Sequence, residues 1–107
     1  MAQLPEKVST HILVVDSDPL IEPLFKSVLS DRDDLVVVTF DCGFSALEHL
    51  RQQPAYLLIT ELTLSDYHGL DLIEAARSIQ AQLPAIVMSQ TATVDQLADA
   101  IHVGEWR

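Results

Sequence analysis

Two short apolar runs in this chain end on a carboxylate. His11-Ile12-Leu13-Val14-Val15 leads into Asp16, Ser17, Asp18 and Pro19, and Tyr56-Leu57-Leu58-Ile59-Thr60 leads into Glu61. Runs of this length suit strands buried on both faces. Leu35 to Phe40, rich in β-branched valine, and Ala85 to Ser89 read as two further strands. Between them the period changes to that of a helix. Leu20 and Ile21, Leu24 and Phe25, and Val28 and Leu29 recur in pairs. Asp41-Cys42-Gly43 makes a turn, and a second helix starts at Ser45, runs through Ala46, Leu47 and Leu50, and ends near Gln53-Pro54. Leu70, Ile73, Ala76 and Ile79 mark a third helix. Thr93 to Val103 forms a last one, with Val94, Leu97, Ala98 and Ile101 on one face.

Asp18-Pro19 reads as a helix start, with Asp18 as N-cap and Pro19 in the first helical position. Pro23 then falls fifth in the helix, where its missing N–H removes a hydrogen bond. A mid-helix proline costs about 3 kcal/mol. The helix is therefore expected to restart around Glu22-Pro23, leaving an irregular first turn.

Alternating strands and helices joined by short loops imply right-handed βαβ units, with helices on both faces of a parallel sheet. The crevice of such a sheet lies beyond the carboxyl ends of its strands. If the first and third strands are neighbours, Asp16, Asp18 and Glu61 converge there in one small acidic pocket.

Composition narrows the function classes. The 107 residues are 49% hydrophobic and make one domain, residues 1–107, with 1–10 expected to be a disordered N-terminal extension. No apolar stretch approaches the ~20 residues of a membrane span, and the N-terminus lacks a signal-peptide run. The single cysteine, Cys42, fits a reducing compartment, so the expected location is the cytoplasm. A formal charge of −10, with scattered arginines, argues against direct nucleic-acid binding.

Five segments, in order, carry a resemblance: Ile12-Leu-Val-Val-Asp-Ser-Asp-Pro19, Gly43-Phe-Ser-Ala-Leu47, Leu57-Leu-Ile-Thr-Glu-Leu62, Gly69-Leu-Asp-Leu-Ile73 and Pro84-Ala-Ile-Val-Met-Ser89. Together they resemble the receiver domain of two-component response regulators. The resemblance implies a flavodoxin-like, doubly wound α/β sheet whose crevice binds Mg²⁺ and a phosphoryl group. The family's phosphoacceptor aspartate falls on Glu61, its acidic metal-pocket positions on Asp16 and Ser17 with Asp18 just beyond, and its switch hydroxyl on Ser89. The family's lysine, on the fifth strand, has no counterpart before Arg107. The expected sheet therefore has four strands in the order 2-1-3-4, with the fifth βα unit missing.

Three departures meet at one site. Glu61 is one methylene longer than aspartate and shifts its carboxylate by about 1.5 Å, which in-line phosphoryl transfer tolerates badly. Ser17 removes an anionic oxygen that Mg²⁺ favours, and the absent lysine removes a balancing cation. The resemblance thus implies a degenerate receiver, part of a longer regulator, that binds protein partners without taking phosphate. Those partners would be a sensor kinase or an output domain, with a homodimer or strand exchange covering the fourth strand's edge. Glu61 then either imitates a phosphorylated state or is a relic, and the sequence leaves both open. Its cofactor would be none, or Mg²⁺ weakly bound by Asp16, Glu61 and a backbone carbonyl near Thr63. Two alternatives stand beside this: a working receiver with glutamate as acceptor, and a small metal-dependent hydrolase that needs a third ligand.

Plainer readings compete at each residue. Glu61 could be a solvated strand-end acid, Asp18 a helix cap, and Ser89 a hydroxyl bonded to backbone. His11, His49, His68 and His102 show no metal-ligand spacing and read as surface or edge residues. Cys42 has no neighbouring base in the sequence.

Overall fold

A computed structural model describes residues 10–88 of the chain. Four strands and three helices alternate in it: β1 (Thr10–Val15), α1 (Ile21–Val28), β2 (Leu35–Phe40), α2 (Gly43–Gln52), β3 (Leu57–Glu61), α3 (Gly69–Ile79) and β4 (Ala85–Met88). Thr10, expected in the extension, belongs to β1. The last expected helix, Thr93 to Val103, lies outside the described residues, as does Ser89.

All pairings are parallel and the order is β2-β1-β3-β4, the doubly wound arrangement expected. It follows from the pattern: a right-handed crossover from β1 outward to β2 puts α1 on one face. Crossovers running back through β3 to β4 put α2 and α3 on the other. The reversal falls between β1 and β3, where Val15 pairs with Thr60. Asp16 and Glu61 therefore sit at the topological switch point, where open α/β sheets bind ligands.

The two faces are unequally filled. Leu13, Val15, Leu58 and Ala85 pack with Ala46, Leu47, Leu50, Leu72, Ile73 and Ala76 beneath α2 and α3. On the other face, buried Ile12, Val14 and Ile59 meet Ile21, Phe25 and Leu29 at α1. No residue of α1 is wholly buried. One turn round that helix, Leu20, Leu24 and Val28 form an apolar stripe in solvent, each more than half exposed. The Gln80 side chain closes the far end of the sheet, accepting from Ala55 N–H at 2.8 Å and donating to Ala55 C=O at 2.6 Å. Among the described residues, no helix is long and apolar enough to cross a membrane.

Two helix starts differ from expectation. α1 begins at Ile21 with Leu20 as N-cap, not Asp18. Asp18 instead accepts the Leu20 N–H on its carboxylate at 3.0 Å, and its carbonyl accepts Ile21 N–H at 3.1 Å. Residues 19 and 20 are thus the irregular turn, and Pro23 is the third helical residue. The first four N–H groups of a helix have no intrahelical acceptor, so a proline there deletes nothing; the first full-turn bond runs from Leu24 N–H to Leu20 C=O. Pro23→Ala is accordingly expected to lower stability by about 0.4–1 kcal/mol, through greater freedom of the unfolded chain. Relief of a true mid-helix proline would instead raise it by about 3 kcal/mol, so the sign of the shift in urea midpoint decides. The second difference is α2, which starts at Gly43 rather than Ser45.

Candidate functional site

The end of β1 is shaped by hydrogen bonds from its own acids. Asp16 N–H donates to Phe40 C=O at 2.9 Å, which keeps the residue in line with β2. The Asp16 carboxylate accepts Asp18 N–H at 2.9 Å, and Asp18 repeats the pattern on Leu20. Two successive Asx turns, with proline's fixed φ in the second, fold the chain out of the sheet and into α1.

β3 delivers Glu61 from the neighbouring strand. Thr60, fully buried, donates its hydroxyl to Glu61 C=O at 3.0 Å. Leu62 N–H bonds Met88 C=O at 2.9 Å, which ties the exit of β3 to β4. The Glu61 carboxylate turns toward β1, with Oε1 3.5 Å from Ser17 N–H. Burial raises the Glu61 pKa above the usual carboxylate range, and the hydrogen bond and negative charge of Asp16 raise it further. The Ser17 N–H works in the opposite direction, and Asp18 adds a smaller repulsion. Two carboxyl groups in contact favour holding a proton between them. Because the folded state binds that proton more tightly than the unfolded chain, Glu61 costs stability at neutral pH, and that cost shrinks as pH falls through its raised pKa.

The expected single pocket is in fact two neighbouring features sharing Asp16. Glu61 meets Asp16 on the β1/β3 side. On the β1/β2 side opens a cleft of about 470 Å³, lined by Asp16, Asp18, Glu22, Thr39, Asp41 and Ser45 among others, and Glu61 is not part of its wall. Glu22 is held ionised by Lys26, 2.9 Å away, with help from Thr39. Asp18 takes part in the cleft, but with one oxygen committed to the turn.

Among the described residues no three His, Cys, Asp or Glu side chains gather closely enough to hold a metal ion. The donor set at the switch point is two carboxylates, Asp16 and Glu61. That suits a Mg²⁺ keeping most of its waters and falls short of an all-protein cage.

Asp66 is a residue sequence reasoning missed. It lies in the loop after β3, and its two carboxylate oxygens accept Gly43 N–H and Phe44 N–H, each at 2.9 Å. It caps α2 from 22 residues away, which explains why that helix starts at Gly43, with no cap from Cys42 itself. Burial disfavours its charged form, yet the N–H groups of Gly43 and Phe44, its own N–H and the Cys42 thiol outweigh this and hold its pKa below the usual range. Cys42 Sγ also lies 3.4 Å from Ser45 Oγ. The only sequence signal for Asp66 is a carboxylate in a short loop facing the amino ends of helices.

Comparison with known proteins agrees with this geometry. A family profile for the response regulator receiver domain matches residues 12–107. The chain is 30% identical over 97 residues to the Regulator of RpoS of Escherichia coli, covering 91% of this chain and 28% of that protein. It therefore spans about a quarter of the length of that relative. Among solved structures, a response regulator receiver protein from Pseudomonas putida superimposes with a TM-score of 0.76 at 30% identity, over 89% of this chain and 79% of that one. A Burkholderia pseudomallei response regulator, solved with a phosphorylated aspartic acid, a calcium ion and citrate, shares the fold with a TM-score of 0.76 at 19% identity, over 89% of this chain and 55% of that one.

Proposed function

Because this chain belongs to the response regulator receiver domain family, we propose that it is the receiver module of a longer regulator, with a standing glutamate in place of the phosphoacceptor aspartate. It works by binding protein partners rather than by taking a phosphoryl group. One observation carries this reading: Glu61 ends β3 at the switch point with its carboxylate directed at Asp16 and Ser17. Its negative charge is already in the pocket. One carboxylate supplies at most one charge where a phosphoryl group brings about two. The mimicry is therefore partial.

Asp16 and Glu61 are the residues that would hold a divalent cation, whose role would be to neutralise negative charge between them. The raised Glu61 pKa makes protons compete with it, so binding is weak. The switch role of Ser89 belongs to this reading as well. A metal-dependent hydrolase would need a third ligand, which the described residues do not supply.

The partner is read from charge and exposure together. A net charge of −10 opposes the pairing of two copies. The acidic cleft and the adjacent stripe of Leu20, Leu24 and Val28 fit a cationic amphipathic helix, of the kind a sensor kinase or an attached output domain can present.

The test is incubation with a small phosphodonor and Mg²⁺, read by intact mass, with the amide shifts of Asp16 and Glu61 followed during Mg²⁺ addition. The expected result is no phosphoryl adduct, and shifts that move only toward millimolar Mg²⁺. A labile phosphoryl gain that disappears in Glu61→Gln would overturn the reading in favour of a working receiver with glutamate as acceptor.

A further inference from the structure

Away from the acidic site, two histidines face each other between the sheet and α2. His11 is on β1 and His49 on α2, with ring centroids 5.6 Å apart and planes at 65°. His49 also stacks against Phe40, at 5.4 Å and 55°. His11 Nδ1 and His49 Nε2 are both shielded from solvent, and neither has a hydrogen-bond partner. The remaining ring nitrogen of His11 lies 3.4 Å from the Gln53 side-chain nitrogen. A Gln amide nitrogen can only donate, so His11 Nε2 accepts and the neutral ring carries its proton on the shielded Nδ1.

We propose that His11 and His49 form a proton-sensitive clasp between β1 and α2, closed when both rings are neutral and opened when one takes a proton. Protonation makes Nε2 of His11 a donor, which breaks its present contact with the Gln53 N–H₂ and requires that amide to turn its oxygen to the ring. It also places a positive charge beside a second imidazole, at a ring whose shielded Nδ1 has no hydrogen-bond partner. No compensating anion faces the pair among the described residues. β1 carries no other titratable side chain and β2 carries none. α2 brings Glu48 and Arg51, which bond each other at 2.8 Å on its exposed side. The one tyrosine close in sequence to β3, Tyr56, is exposed, and Glu61 is at the opposite end of that strand.

Burial, and then the charge of His49, hold the His11 pKa below 6.5. The unfolded chain therefore binds a proton that the fold refuses. Stability is fully present above 6.5 and is lost as pH falls from there through the lowered folded value, by at most about tenfold in the folding constant per pH unit for one proton. The clasp also reaches the crevice. Phe40, against which His49 packs, lines the cleft and accepts the Asp16 N–H.

Urea denaturation of the full chain at pH 7.5 and 5.5 tests this, with His49→Phe as the comparison because it keeps a ring against Phe40. Glu61 and the −10 net charge push the other way, favouring the fold as pH falls, and they act equally in both proteins. The wild type is expected to lose more in folding constant than His49→Phe between the two pH values, by a factor below about tenfold, because the burial that contributes most to the His11 shift persists in the variant. Equal changes would overturn the clasp. Should the variant not fold, the wild-type histidine ring signals decide. The His11 ring should titrate below 6.5 and carry the Phe40 and Asp16 amides with it, and a His11 ring that titrates at 6.5 with unmoved amides would equally overturn it.

Discussion

Replacing Gly69 with alanine is expected to destabilise the protein by about 1–3 kcal/mol, although alanine is the better helix former by about 1 kcal/mol. Gly69 opens α3 directly behind the exit of β3. A Cβ there would lie 2.6 Å from Glu61 O, 3.0 Å from Leu62 Cα and 3.2 Å from Leu62 O. All three are backbone atoms, so no rotamer change relieves the clash. Nor can the strand retreat easily, because Glu61 is paired to Met88 on β4, and Thr60 to Val15 on β1. Gly69 N–H also donates to Leu62 C=O, closing the loop at its neck. The glycine has no positive φ; its role is close approach alone. Urea midpoints and the amide shifts of Asp16 and Glu61 should move together in Gly69→Ala. A wild-type midpoint would show that the loop neck has slack the geometry does not reveal.

Asp66→Ala comes second, with an expected loss of about 1–2 kcal/mol, the range of a lost helix cap. Two helix N–H groups lose their acceptor at once, Gly43 and Phe44, and the amino end of α2 loses the negative charge it favours. The pH dependence gives the loss a signature. A carboxylate with a depressed folded pKa contributes its stability above its unfolded pKa, and that contribution disappears as pH falls through the folded value. The difference between wild type and Asp66→Ala should therefore be full at neutral pH and fade well below pH 4. Asp66→Asn, which keeps one acceptor oxygen, should recover part of it. A gap that stays constant down to low pH would assign the loss to packing instead.

How much of this was legible in the sequence depends on how far apart the interacting residues are. The strands were, because each is a short, largely apolar run; the parallel sheet followed from handedness and alternation, and its strand order from the resemblance to the receiver family. Asp16 and Glu61 were legible as strand-end carboxylates at a reversal of winding. Asp66 was not, since its partners are 22 and 23 residues away, and nothing local marks a loop acid as the cap of another helix. Asp41 entered the cleft through the β1/β2 register and Glu22 through the packing of α1 beside β2, neither of which a linear pattern shows. Asp18 misled because an aspartate two residues upstream of a helix and one capping it look alike, and the choice rested on where Pro23 could be tolerated. The histidines looked like isolated surface residues because His11 and His49 meet only once α2 is laid on β1.

The unequal filling of the two faces gives the molecule a firm half and a yielding half. On one side α2 and α3 clamp a deep core that includes Leu72, Ile73 and Leu83, none more than 1% exposed. On the other, α1 is held by partial contacts of Ile21, Phe25 and Leu29, and its ion pair between Glu22 and Lys26 lies within the helix itself. Opening free energies follow such differences in packing, so α1 should detach from the sheet at far less cost than the rest of the fold. The acidic turn of residues 16–20 is the hinge of that motion, and Asp16 is the point where the yielding wall meets the firm one. A partner that seizes α1 therefore needs to reshape only one wall of the crevice, while Glu61 stays fixed on the other.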